Sequence, residues 1–154
     1  MARAVAKMLT AAQQRCDELG VRLTPQRRQV MAMLLDQDGP RSAYELLDLF
    51  KQQHQENAKP PTIYRALDFL VEAGLAHRLA STNQYLACDH LTCHHGHEGT
   101  LFLVCDRCGA ASEAPMSEAF KQSLQHSLVG QSFAMASRPM LELHGCCSDC
   151  QSAE

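Results

Sequence analysis

The sequence contains no tryptophan, and five phenylalanines with three tyrosines bring aromatics to only 5% of its 154 residues. That scarcity excludes the stacked aromatic platform with which many proteins hold single-stranded nucleic acid. No apolar run approaches the roughly 20 residues needed to cross a membrane. Near the start, Lys7, Gln13, Gln14 and Arg15 interrupt every apolar segment. The sequence therefore predicts no signal-peptide core and a cytoplasmic chain. An excess of positive charge is also missing. The 14 Lys and Arg face 17 Asp and Glu, for a net of −3. This excludes a uniformly basic chain, though not a local nucleic-acid face. Apolar residues at 45% exclude wholesale disorder.

What the chain does have is 8 Cys and 8 His, unevenly spread. Up to residue 76 there is one of each, Cys16 and His54, and the other seven of each lie between His77 and Cys150. Charge divides in the same sense. Residues 1–84 hold 11 Lys and Arg against 9 Asp and Glu, whereas residues 85–154 hold 3 against 8. In a reducing compartment this cysteine usage points to metal binding before disulfides. The chain divides into residues 1–84, a linking segment 85–97 rich in metal-type ligands, and residues 98–154.

The first segment reads as helices. Val5, Met8, Leu9, Ala12, Cys16 and Leu19 recur at helical spacing over about 3–19, and Gly20 stops that run. Thr24-Pro25 is a start signal, with Val30, Met31, Leu34 and Leu35 on one face of the next helix. Ser42 caps a third helix, and Glu45 completes a capping box. Pro60-Pro61 opens a fourth helix whose apolar face is Ile63, Leu67, Leu70 and Val71, ended by Gly74. Strand-like runs follow at Leu75–Leu79 and Tyr85–Cys88, joined by the turn residues Ser81-Thr82-Asn83. Three helices and then a hairpin give the order of a winged helix-turn-helix, with an extra N-terminal helix in front.

The last segment reads as a small α/β unit, making the chain α+β. Thr100–Cys105 is a buried-strand signal, and Ala110–Ala114 pairs with it. Pro115–Val129 is a helix with Met116, Phe120, Leu124 and Leu128 on one stripe, and Phe133–Leu143 is a returning strand. About 70 residues rarely bury enough core alone, so a metal staple and a dimer partner are expected.

Two groups of residues carry metal chemistry. Cys105-Asp-Arg-Cys108-Gly and Cys147-Ser-Asp-Cys150 are two CxxC elements separated by 38 residues. Each turn offers two thiolates to one ion, and together they make a closed tetrahedral zinc site. The competing reading is a redox dithiol pair. The second group is looser, with His77 and Cys88 at the two ends of the hairpin, His90, His94, His95 and His97 in the linker, and Glu113 on the next strand. Donors on different elements suit a sensor that locks two segments together, whereas a solvated His-rich loop is the alternative.

A nucleic-acid face is carried by charge placement. Arg22, Arg27, Arg28, Arg41, Lys59 and Arg65 gather around helix starts, where phosphates bind. Thr62, Tyr64 and Arg65 occupy the first turn of the recognition-helix candidate, and arginine suits bidentate contact with guanine. A helical interaction domain is the competing reading. Cys16, Met31, Met33, Met116, Met135 and Met140 read as core, Cys93 and Cys146 as spare thiols, His54 and His126 as surface, and His144 as a packing residue.

Taken together, RLTPQR (22–27), SAYELLDL (42–49), KPPTIYRALDFL (59–70), STNQY (81–85), CDRCG (105–109) and HGCCSDC (144–150) resemble the ferric uptake regulator (Fur) family, and most of all its zinc-sensing branch. The likeness covers about residues 5–150. It implies a homodimeric, metal-dependent repressor with winged-helix DNA-binding domains, α/β dimerisation domains and a palindromic, AT-rich double-stranded operator. On these positions, Cys105, Cys108, Cys147 and Cys150 match the structural zinc ligands. His77, Cys88 and Glu113 match the regulatory zinc site, with His97 as its fourth ligand and His95 or Glu98 as alternatives. Tyr44 and Arg65 match base contacts, and Thr62 and Tyr64 match backbone contacts.

The resemblance thus implies about two Zn2+ per chain, no membrane, no small-molecule substrate beyond the metal ion, and no enzymatic activity. Cys88 softens the regulatory site and favours zinc. The alternatives are an iron, manganese or peroxide sensor of the same family, or a CxxC thiol redox switch. A metalloenzyme lacks support, because the sequence offers no convincing general base and the four-cysteine set is closed.

Overall fold

A computed structural model describes residues 2–91, 99–137 and 139–152, with the backbone alone at residues 2 and 3. Two compact units divide the chain, Met1–Cys93 and His94–Glu154.

The first unit begins with α1 (Ala2–Glu18) and α2 (Pro25–Leu35), the latter capped by Thr24, whose side chain accepts the Arg27 N–H. Then come the short β1 (Arg41–Ser42), α3 (Ala43–Gln53) and α4 (Pro60–Glu72). The Ser42–Glu45 capping box forms as expected. Ser42 Oγ accepts the Glu45 N–H, and Glu45 takes the Ser42 N–H at 2.8 Å. Gly74, at φ +68°, lets the chain turn out of α4, and the Leu75 N–H reaches back to the Leu70 carbonyl at 2.8 Å. The hairpin β2 (Ala76–Leu79) and β3 (Gln84–Ala87) completes the wing.

Sequence reasoning missed β1, which pairs with β3 at Arg41↔Tyr85 and Ser42↔Gln84 and makes the sheet three-stranded in the order β1-β3-β2. Because β3 pairs with β2, the first unit extends beyond residue 84. Its core joins Cys16, Val30, Met31, Leu46, Phe50, Ile63, Leu67 and Leu70. On α4, Ala66 is buried, while Val71 is only partly so.

The second unit contains β4 (Thr100–Cys105), β5 (Ala111–Pro115), α5 (Glu118–Ser127), β6 (Met140–Gly145) and the one-turn α6 (Ser148–Gln151). The sheet order is β5-β4-β6, with β4 antiparallel to β5 and parallel to β6. Two sequence expectations are corrected. The helix begins later than Pro115, because Pro115 pairs with Thr100 in β5 and the Ser117 side chain caps the helix by accepting the Phe120 N–H at 3.2 Å. The last strand does not run from Phe133. Pro139 has no N–H to give to a ladder, and the strand starts just after it, the Pro139 carbonyl taking the Thr100 N–H at 3.0 Å.

This unit has little core. Among the described residues its buried side chains are Thr100, Phe102, Val104, Cys105, Met116 and Pro139. Met140, expected inside, is 52% exposed, and α5 buries none of its residues. On one sheet face Leu103 of β4 stands beside Leu143 of β6, and both are exposed.

Candidate metal centres and nucleic-acid interface

The two CxxC turns meet at one end of the second sheet. Cys105 ends β4, and Gly109, at φ +73°, closes the first turn by returning its N–H to the Cys105 carbonyl at 2.9 Å. Parallel pairing sets Cys105 opposite Gly145, so β6 delivers Cys147 and Cys150 to the same edge. All four sulfurs lie within 4.8 Å of one another, and Cys108 Sγ and Cys147 Sγ are 3.8 Å apart. A tetrahedral ion with Zn–S bonds of about 2.3 Å has sulfur–sulfur edges of about 3.8 Å, so the quartet fits zinc.

The thiols are not equivalent. Backbone N–H groups of Cys147, Cys108 and Arg107 aim at Cys105 and lower its pKa to about 6. The neighbouring thiols of Cys147 and Cys108 push Cys150 up to about 12. A divalent cation reverses that crowding, because it stabilises every thiolate together and releases the protons.

In the first unit, His77 lies opposite Leu86 in the hairpin ladder, and the Cys88 N–H extends the ladder to the Leu75 carbonyl at 3.0 Å. His77 and Cys88 are therefore diagonal neighbours on one sheet face. Their ligand atoms fall within 4.8 Å of each other, with Cys88 buried and His77 half-buried. Glu113 sits on β5 of the second unit, half-buried. The fourth expected ligand, His97, and its alternatives His95 and Glu98 lie outside the described residues, as do His94 and Cys93.

The nucleic-acid candidates cluster on α3 and α4. Tyr44, in the first turn of α3, is 66% exposed, and its ring meets that of Tyr64 edge-on with centroids 6.5 Å apart. Thr62 is half-buried and Arg65 exposed, one turn into α4. Pro60 and Pro61 suit the start of α4, because neither needs to donate an N–H there. Not every arginine at a helix start is free for phosphate. Arg27 lies 3.6 Å over the Phe69 ring and donates to the Arg22 carbonyl at 2.7 Å, tying α2 to α4. Arg41 is held by Gln37 and Glu45. Cys16 is buried as expected, and His54 and His126 are exposed.

Sequence reasoning passed over Asp106 and Arg107 beside the four-cysteine centre and gave His144 a packing role, whereas the structure leaves His144 exposed and tied to Asp106. His144 Nδ1 lies 2.7 Å from Asp106 Oδ1, and that carboxylate raises the imidazole pKa. Arg107 donates to the Cys150 carbonyl at 3.0 Å. Their positions inside and just before the CxxC elements were the available signal.

The model of the ferric uptake regulator family matches residues 18–138. The chain belongs to that family. Among Fur-family relatives, the zinc uptake regulation protein of Escherichia coli strain K12 is 40% identical over 148 residues, which is 96% of this chain and 84% of that protein. That of Mycobacterium tuberculosis is 32% identical over 141 residues, 86% of this chain and 97% of that protein. A solved zinc uptake regulator complexed with zinc and DNA is 38% identical and superposes with a TM-score of 0.85, covering 97% of this chain and 96% of that one. Holo XcZur is 37% identical, with a TM-score of 0.78 and coverages of 95% and 98%. No helix among the described residues is long and apolar enough to cross a membrane.

Proposed function

We propose that this Fur-family chain is a zinc-responsive transcriptional repressor. It binds double-stranded operator DNA as a zinc-loaded homodimer in the cytoplasm and shuts off zinc-uptake genes. It is a regulator and not an enzyme. The winged-helix unit, which includes the wing strand β3 beyond residue 84, carries the DNA contacts, the segment from there to residue 97 adds metal ligands, and residues 98–154 carry dimerisation and the structural zinc. The observation that carries the reading is the diagonal pair His77 and Cys88, built into the same unit as the exposed first turns of α3 and α4.

Each part has a stated role. Cys105, Cys108, Cys147 and Cys150 hold a structural zinc that staples the end of β6 to β4. His77 and Cys88 supply two ligands of a regulatory zinc, with Glu113 and His97 completing its shell. The thiolate of Cys88 selects zinc over the harder iron and manganese ions. Tyr44 and Arg65 read bases, while Thr62 and Tyr64 contact the DNA backbone. Dimerisation covers the exposed Leu103 and Leu143 and the unburied α5, whose apolar surface a single chain leaves open.

Regulation is a population shift. Zinc must bind the DNA-competent arrangement more tightly than the others, and each tenfold of that preference supplies about 1.4 kcal/mol to operator binding. The test is a zinc titration of binding to a duplex selected from a random pool in the presence of zinc. Affinity should rise with free zinc in the parent and stay flat in Cys88→Ser. An unchanged zinc response in Cys88→Ser refutes the sensor assignment. A stronger response to ferrous or manganous ion than to zinc refutes the metal assignment.

A further inference from the structure

The four-cysteine centre poses an assembly problem that strand pairing does not solve. The two CxxC turns are 38 residues apart in sequence and both project beyond the last paired positions of β4 and β6, Cys105 and Gly145. The ladder fixes how far each strand runs. It leaves each turn free to swing about its strand end, and a swing of one ångström breaks a set of sulfur–sulfur edges near 3.8 Å.

Several contacts remove that freedom. The Asp106 N–H donates to the Gly145 carbonyl at 2.9 Å, and the Cys147 N–H donates to Cys105 Sγ at 3.4 Å. Beyond these backbone links, two side chains cross from one turn to the other segment. Asp106 Oδ1 holds His144 Nδ1 at 2.7 Å, and the other ring nitrogen of His144 stands 3.8 Å from Glu142 Oε2, which fixes the ring plane. Arg107 donates to the Cys150 carbonyl at 3.0 Å. One contact lies three residues before Cys147 and the other at Cys150, so the second turn is held from both ends.

We infer that Asp106, His144 and Arg107 are positioning residues that hold the two CxxC turns at zinc-binding separation before the ion arrives. The inference rests on the reading of the four cysteines as a zinc site. A preassembled site spends little of its binding free energy on ordering the chain, so its main effect is slow release. Groups of this kind, next to ligands and not among them, commonly change metal affinity about 10- to 100-fold.

The experiment follows zinc release from the full-length protein to a chromophoric chelator. A Cys88→Ser background keeps the regulatory ion out of the count. His144→Phe and Arg107→Met should each release zinc about 10- to 100-fold faster than the parent. His144→Asn, whose amide nitrogen falls near the position of Nδ1, should stay close to the parent. A loss of packing alone would not be rescued in this way. Asp106→Ala combined with His144→Phe should be no faster than the faster single variant, because both remove one contact. Parental release rates in His144→Phe and Arg107→Met overturn the inference. If His144→Phe does not fold, Arg107→Met carries the test, since its target is a backbone carbonyl at an exposed turn. A parent that holds no zinc on its cysteines overturns the structural-zinc reading itself.

Discussion

Replacing Cys147 with serine should unfold the second unit and leave the first intact. A zinc held by the four cysteines would close a loop of 38 intervening residues between Cys108 and Cys147. Treated as a cross-link, a loop of about 39 residues removes roughly 13 cal/mol/K from the unfolded chain, or about 4 kcal/mol at 25 °C. The metal–ligand bonds add to this, since structural zinc sites contribute on the order of 10 kcal/mol to folding, so 4 kcal/mol is a floor. On the other side stands a core of six buried side chains and a helix that buries nothing. Cores of small units rarely supply more than about 3–5 kcal/mol. The loss therefore exceeds what holds the unit. Hydrogen exchange read by mass spectrometry checks this element by element. Peptides covering β4 and β6 should lose protection in Cys147→Ser, while those covering α2 and α4 keep theirs. Parental protection of β4 and β6 in the metal-free variant would refute the staple and assign the stability of the sheet to packing.

Four further outcomes are expected. Arg65→Ala should cost about 1–3 kcal/mol in operator affinity and relax base preference at one position, read by competition among single-base operator variants. An equal loss on every sequence would make Arg65 a phosphate contact. Leu143→Asp should convert the dimer to monomer in sedimentation velocity without loss of first-unit helicity, because it places a charge on an exposed apolar sheet face. Ser42→Ala should cost about 1 kcal/mol through the α3 cap. Glu45→Gln should alter the acid limb of stability. The Ser42 N–H and hydroxyl hold the Glu45 carboxylate below its ordinary pKa. Its contribution is therefore present above the unfolded carboxylate value and is lost as pH falls through the depressed folded one. Urea midpoints measured from pH 7 to pH 3 should fall less steeply in Glu45→Gln than in the parent.

The first unit was legible because its punctuation is local. Thr24-Pro25, the Ser42–Glu45 box, Pro60-Pro61 and Gly74 each set a boundary through atoms within five residues of themselves. The CxxC turns were legible for the same reason, and their meeting followed from the number of ligands one zinc needs. β1 was not legible. Two residues carry no periodicity, and Arg41–Ser42 is a strand only because Gln84 and Tyr85 lie alongside it. The stripe Met116, Phe120, Leu124 and Leu128 announced an amphipathic segment but not what covers it, and a single chain leaves α5 uncovered. At the sites, residue types and spacing gave only a loose group of donors, from which the family resemblance singled out His77 and Cys88, and the hairpin register supplied the reason that they meet. The contacts of Asp106, Arg107 and His144 were invisible beforehand, since they depend on two turns brought together from opposite ends of the second unit.

The register of the wing hairpin also constrains how such a protein can change its metal. His77 faces the same way as Cys88 because Leu86 stands opposite one and Leu75 opposite the other. Side chains alternate faces residue by residue, so an insertion or deletion within either strand would turn one ligand away from the other. Within β3 it would also disturb the pairing of Gln84 and Tyr85 with β1, and with it the Ser42 that caps α3. A point substitution at position 77 or 88 disturbs neither. New metal preferences on this scaffold should therefore arise by exchange of ligand types at fixed positions, and changes of loop length should be confined to the wing turn and the linker beyond it.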